Sequence, residues 1–308
     1  VAPGGYLWWY VDAVSDDGRH ALTLIAFVGS VFSPYYRWAW RHGRARAEDH
    51  CALNVAIYSP GASRWTMTER GHRRVTRRAH EFVIGPSALQ WGPQGLTVTI
   101  DEVANPLPRR VRGTVRVQPQ ALCRYVASLD DEGRHRWGPI APCARAEVEF
   151  DSPGLRWQGH AYVDSNEGEE PISEPFKTWD WLRAPLADGS TVVAYDVRQR
   201  HGRADRLIGA RFRRDGGVDP IELPGRRPLA RTGWGIARAM RGGEAGGAAS
   251  DPPRVLRTLE DTPFYARSLV RAGLCGQTVE AMHETLSATR FASPLVQAML
   301  PWRMPRRA

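Results

Sequence analysis

Lysine is nearly missing from this chain: Lys177 is the single one among 42 basic residues, so the formal net charge of +9 is carried by arginine. Such a skew, beside abundant Ala, Gly and Pro, is the imprint of a GC-rich coding sequence. No Arg-rich helix or recognised nucleic-acid motif accompanies it, and no nucleic-acid partner is expected. Cysteine is scarce. Cys51, Cys123, Cys143 and Cys275 lie far apart with no C-x-x-C, which argues against a zinc site and predicts buried or free thiols in a reducing compartment. No apolar run reaches the roughly 18 residues a membrane-spanning helix needs. G-x-G-x-x-G, the P-loop and H-E-x-x-H are absent, and Ser30 and Ser33 sit outside any G-x-S-x-G. Nucleotide-dependent, zinc-protease and serine-hydrolase chemistry therefore lack support. Helical periodicity is sparse too. Leu269 to Gly273 reads as one helical turn, and Leu295, Met299 and Trp302 as a short amphipathic element bounded by Pro294 and Pro301. The chain opens Val1-Ala2-Pro3-Gly4, with neither Met nor an apolar signal region.

Strand signals fill the remainder. Leu22 to Phe32 is almost continuously apolar. Leu96, Val98 and Ile100 alternate with polar residues, as do Val111 to Val117, Ala146 to Phe150 and Ile208 to Phe212. This is the period of half-buried strands. Turn clusters separate them, among them Asp16-Asp17-Gly18, Ser59-Pro60-Gly61 and Asp215-Gly216-Gly217. The pattern predicts an all-β protein of two antiparallel barrels or strongly curved sandwiches, with little helix. The 308 residues suit two domains. Ser165 to Glu174 (SNEGEEPISE) is acidic and turn-rich and places the boundary between residues 1–168 and 169–308. A second stretch, Arg241 to Pro253, is expected to be a flexible surface loop within the second domain.

Chemistry concentrates in two short motifs, His135-x-Trp137 and Tyr162-x-Asp164. On strands, residues i and i+2 share a face. A carboxyl in an apolar cavity is favoured in its neutral form and can then donate a proton. Trp137 and Tyr162 offer ring faces to a carbocation, worth of order 0.5–2 kcal/mol each, and His135 can orient the acid or take a proton from water. The plainer readings are a cap on the turn Ser165 to Gly168 for Asp164, a structural imidazole for His135, and core packing for the two rings. Trp179-Asp180-Trp181 is a further candidate. Its indoles share a face and could line a substrate pocket, or merely pack. Glu260, Asp261 and Tyr265 in LEDTPFYARS are accounted for by a turn at Asp261-Thr262-Pro263.

Gly5 to Gly18, Leu24 to Tyr36, Asp49 to Ile57, Arg134 to Pro142, Tyr162 to Asn166, Trp179 to Arg183, Leu259 to Ser268 and Met299 to Arg306 together resemble the acyclic carotenoid 1,2-hydratases, or hydroxyneurosporene synthases. The resemblance covers nearly the whole chain, with an N-terminus shorter than usual. It implies two lipocalin-like (calycin-type) barrels and addition of water to the terminal C1=C2 bond of acyclic carotenoids such as neurosporene and lycopene. It implies no cofactor. It places the functional residues at His135, Trp137, Tyr162 and Asp164, with Asp164 as proton donor at the end of an apolar tunnel inside a barrel. The expected partners are the carotenoid, water, and an anionic membrane surface on the cytoplasmic side, to which the arginine-rich ending MLPWRMPRR is suited. The alternatives are a cation-forming terpenoid cyclase or isomerase, a non-catalytic lipocalin-like carrier, and a basic surface adaptor.

Overall fold

The computed structural model describes residues 1–243 and 252–307. Strand accounts for 56% of it and helix for 9%, which settles the all-β class. The chain forms two compact units. The first comprises Val1–Val126, Arg134–Pro171 and Gln297–Ala308; the second comprises Ala127–Gly133 and Ile172–Val296. The strands are β1 (Tyr6–Ser15), β2 (Ala21–Val28), β3 (Cys51–Tyr58), β4 (Arg64–Arg70), β5 (Val75–Arg78), β6 (Glu81–Ile84), β7 (Ser87–Gly92), β8 (Gly95–Val103), β9 (Arg110–Pro119), β10 (Ala127–Ser128), β11 (His135–Ser152) and β12 (Leu155–Gly168). They continue as β13 (Phe176–Pro185), β14 (Thr191–Gln199), β15 (Arg206–Phe212), β16 (Val218–Pro220), β17 (Arg226–Pro228), β18 (Ala239–Arg241), β19 (Arg254–Asp261), β20 (Tyr265–Leu274), β21 (Gln277–Ser287) and β22 (Arg306–Arg307). The helices are α1 (Pro34–Arg41), α2 (Ala288–Phe291) and α3 (Pro294–Arg303).

In the first unit an antiparallel sheet runs β4-β3-β2-β1-β12-β11-β9-β8-β7-β6-β5, and β22 adds to β4 in parallel. The sheet curls back on itself. Asn105 N–H, just after β8, donates to the Trp65 carbonyl of β4 at 3.0 Å, and Arg70 on β4 pairs with Glu102 on β8 at 2.8 Å. Burial pushes the Glu102 carboxyl above its usual range, against the opposing pull of Arg70 and Ser87. Inside the curl every second residue is apolar: Val11 and Ala13, Leu22 and Leu24, Leu53 and Val55, Val98 and Ile100, Val115 and Val117, Ala161 and Val163. Each large aliphatic chain so buried stabilises the fold by about 1.5–3 kcal/mol.

The second unit is a seven-stranded antiparallel sheet, β16-β15-β14-β13-β21-β20-β19, with β17 and β18 paired separately. Leu182, Ala184, Ala194, Val270 and Ala281 pack its apolar core. On the same face of β13 and β14 lie Asp180 and Asp196, held by Arg226 at 2.6 Å and Arg241 at 2.9 Å. Thr285 Oγ1 donates to Asp180 at 2.6 Å.

Several expectations are corrected. Ser165 to Gly168 is the end of β12, not a turn, so Asp164 caps nothing and the connection is shorter than proposed. Leu269 to Gly273 belongs to strand β20 and is not helical, because it pairs with β21 along its length. The expected loop from 241 to 253 begins on β18 and then falls mostly on 244–251, outside the described residues. The C-terminal element is α3, in which Leu295, Met299 and Trp302 are all exposed. No helix among the described residues is long and apolar enough to cross a membrane.

None of the four cysteines is joined in a disulfide. Burial pushes the Cys51 thiol up to about 12, whereas Cys275 is exposed in a left-handed turn at φ 50°. A thiol reagent at pH 8 is therefore expected to modify Cys275 first in the native protein, and Cys51 only on unfolding. Peptide mapping after brief labelling checks this.

Candidate active site

Three neighbouring strands build the site. The register sets Tyr6, Trp8, Tyr10 and Asp12 of β1 opposite Gly168, Asn166, Asp164 and Tyr162 of β12. It sets His135, Trp137 and Pro139 of β11 opposite the same Gly168, Asn166 and Asp164. With a side-chain period of two, all of these share one sheet face. They alternate with Val11, Ala13, Ala161 and Val163, which line the curl. The four expected residues thus share one face, the one opposite the barrel core; Trp137 and Tyr162 bond Asp164 there, while His135 contacts Tyr6 and Glu170. The expectation of a site inside the barrel is overturned by this alternation. That face is nevertheless buried: Trp137, Tyr162 and His135 are 0% exposed and Asp164 3%.

The carboxyl of Asp164 is the hub. Trp137 Nε1–H donates to its Oδ2 at 2.8 Å, and the Tyr162 hydroxyl donates to the same oxygen at 2.9 Å. Burial raises the Tyr162 phenol well above its ordinary value, and the adjacent Asp164 charge adds to the effect. Tyr162 therefore remains a donor at any working pH. Two donors occupy the lone pairs of Oδ2, which makes Oδ1 the oxygen that carries the proton when the acid is neutral.

His135 is held from two sides. The Tyr6 hydroxyl hydrogen-bonds its Nδ1 at 2.8 Å, and Nε2 lies 3.5 Å from Glu170, itself paired with Arg134 at 3.1 Å. A carboxylate at Nε2 favours the tautomer with hydrogen there, leaving Nδ1 to accept from Tyr6. Rings close the patch: Tyr6 stacks on Trp8 at 4.8 Å, Tyr10 meets Tyr162 edge-on at 6.3 Å, and Tyr125 meets Trp137 at 6.0 Å.

Tyr6, Trp8, Tyr10, Asp12, Asn166 and Glu170 were not picked out by sequence reasoning. The signal was present in the alternation Tyr6-x-Trp8-x-Tyr10-x-Asp12. Tyr10-x-Asp12 also repeats Tyr162-x-Asp164 on the antiparallel neighbour, so each tyrosine faces the other strand's aspartate. The Tyr10 hydroxyl donates to Asp12 at 3.2 Å. Trp179 and Trp181 lie in the second unit, on the face of β13 opposite Leu182 and Ala184. Trp179 packs against Phe176 at 5.7 Å and Tyr195 at 6.3 Å. Between them Asp180 points to the core side, as the alternation requires.

Gly168 makes room for the Tyr6–His135 bond. A Cβ there would lie 2.4 Å from the Tyr6 ring and 2.5 Å from His135 Nδ1. Gly168→Ala is expected to separate the two and lower turnover about 10–100-fold, a typical cost of misplacing a catalytic group by an ångström. Steady-state rates beside the melting temperature check this. Near-wild-type turnover would mean that the Tyr6–His135 contact has no catalytic role.

A curled, lipocalin-like β fold thus carries a buried carboxyl, phenol, indole and imidazole on one sheet face. The chain belongs to the carotenoid hydratase CrtC family, whose model matches residues 24–308. It is similar to the acyclic carotenoid 1,2-hydratase of Rubrivivax gelatinosus, 61% identical over 310 residues, covering 100% of this chain and 75% of that protein. The acyclic carotenoid 1,2-hydratase of Thiocapsa roseopersicina is 52% identical over 307 residues, covering 99% and 74%. Among solved structures, kievitone hydratase from Nectria haematococca aligns with a TM-score of 0.57 at 8% identity, covering 94% of this chain and 91% of that one. At that identity the likeness speaks to the fold alone.

Proposed function

We propose that this protein adds water to the terminal C1=C2 bond of acyclic carotenoids such as lycopene and neurosporene, giving the tertiary 1-hydroxy product. The similarity, over the whole of this chain and about three quarters of each relative, to proteins bearing that name supports the reaction. The observation that carries the mechanism is the convergence of Trp137 and Tyr162 on one oxygen of buried Asp164.

In this mechanism Asp164 is protonated when the substrate arrives. Oδ1–H gives its proton to C2, the π pair forms the new C2–H bond, and C1 becomes a tertiary cation. As negative charge develops on the carboxylate, the two hydrogen bonds at Oδ2 strengthen, and stabilisation of this kind lowers the barrier. The ring faces of Trp137 and Tyr162 attract the cation. A water held near His135 adds to C1 and sheds a proton that restores Asp164. The substrate is a lipid, so the reaction belongs at a membrane surface. Cysteines not joined in disulfides fit its cytoplasmic side.

The test is incubation of the purified protein with lycopene in detergent micelles, followed by chromatography and mass analysis. A product heavier by one water is expected. A product of unchanged mass would indicate a cyclase or isomerase, and bound but unaltered lycopene a carrier.

A further inference from the structure

Helix α3 is apolar on both sides. Val296 and Leu300 are buried, yet the outward positions Ala298, Met299, Pro301 and Trp302 are exposed and none is polar. Trp302 is 80% exposed. A contiguous exposed apolar ridge of this kind marks a contact surface. It is also held in place. The Arg303 guanidinium sits 4.2 Å from the centre of the Trp65 ring on β4, and β22 then pairs with the end of β4.

Charge chooses the occupant. The segment that follows the ridge carries Arg307, which is exposed. A two-fold contact between copies centred on Trp302 would bring Arg307, five residues further on, toward its own image. An anionic bilayer turns the same cation into attraction, while Met and Trp suit the depth of the headgroups. We propose that the outward face of α3, with the exposed Arg307 of the segment that follows it, seats the protein on anionic lipid, from which the substrate is drawn. Only the last clause rests on the carotenoid reading.

The test uses vesicles without carotenoid: phosphatidylcholine alone, and phosphatidylcholine with a third phosphatidylglycerol. The full chain is expected to sediment with the anionic vesicles and to be released by high salt. The double substitution Met299→Ser, Trp302→Ser should weaken binding at least tenfold. Trp234→Ser, at an exposed indole of the second unit, should leave it unchanged. In detergent micelles the double variant should hydrate lycopene as the wild type does. The proposal is overturned if the double variant binds vesicles normally, if the wild type ignores anionic vesicles, or if the wild type is a dimer that the double substitution dissociates. A failed lycopene assay beside intact vesicle binding would overturn the carotenoid reading and leave the surface standing.

Discussion

Asp164→Asn is expected to reduce lycopene hydration by about 10³-fold or more, within the range that a positioned general acid supplies. Asparagine keeps the shape, and its carbonyl oxygen can still accept from Trp137 and Tyr162, whose donors stand 2.8 and 2.9 Å from the native Oδ2. What it lacks is an acidic hydrogen at the position of Oδ1. The fold should hold, with a melting temperature close to that of the wild type. Tyr162→Phe and Trp137→Phe each remove one donor but keep the acid, so each should cost less, about 10–100-fold. Rates and thermal unfolding measured on the same preparations check the series. A variant that retains a tenth of wild-type turnover would show that Asp164 is not the proton donor.

Arg267→Met is expected to be the most damaging change for stability away from the site. Arg267 is 1% exposed. Its guanidinium bonds Glu284 at 2.8 Å, reaches Glu260 at 3.5 Å, and lies 5.3 Å from the centre of the Tyr265 ring. The methionine fills similar space but strands two largely buried carboxylates. Removing one side of such a cluster costs about 3–5 kcal/mol. Adding Glu284→Gln should return part of that loss, because the second change removes a stranded charge. Urea midpoints for the single and double variants give the comparison. A single-variant loss below about 1 kcal/mol would mean the cluster relaxes into solvent.

The strand pattern and the pairing of site residues were legible in the sequence because both rest on local periodicity. Tyr162-x-Asp164 and His135-x-Trp137 had to share faces once their segments were strands, and β11 and β12 are adjacent hairpin arms. What could not be read was which face. Both faces of β12 are buried around Val163 and Asp164, so burial gives no signal to separate barrel core from opposite face. Only the closure of the curl decides it. The first strand was missed for a different reason. Tyr6, Trp8, Tyr10 and Asp12 lie about 130–160 positions from their partners, and their role exists only through the β1–β12 register. Ser165 to Gly168 misled because its composition is that of a turn, while pairing with both β1 and β11 holds it extended. Tertiary pairing overrode local preference there. Leu269 to Gly273 was misread for the same reason, since a short apolar run carries no period of its own.

Carbon protonation from an acid in equilibrium with solvent, followed by capture of water, leaves a signature in the product. The most direct measurement is hydration of unlabelled lycopene in deuterium oxide enriched with oxygen-18, the product then being washed with ordinary water. One non-exchangeable deuterium at C2 and one heavy oxygen at C1 are predicted, and neither should appear with Asp164→Asn. Light oxygen at C1, or a deuterium at C2 incorporated as fast by Asp164→Asn as by the wild type, would contradict the account.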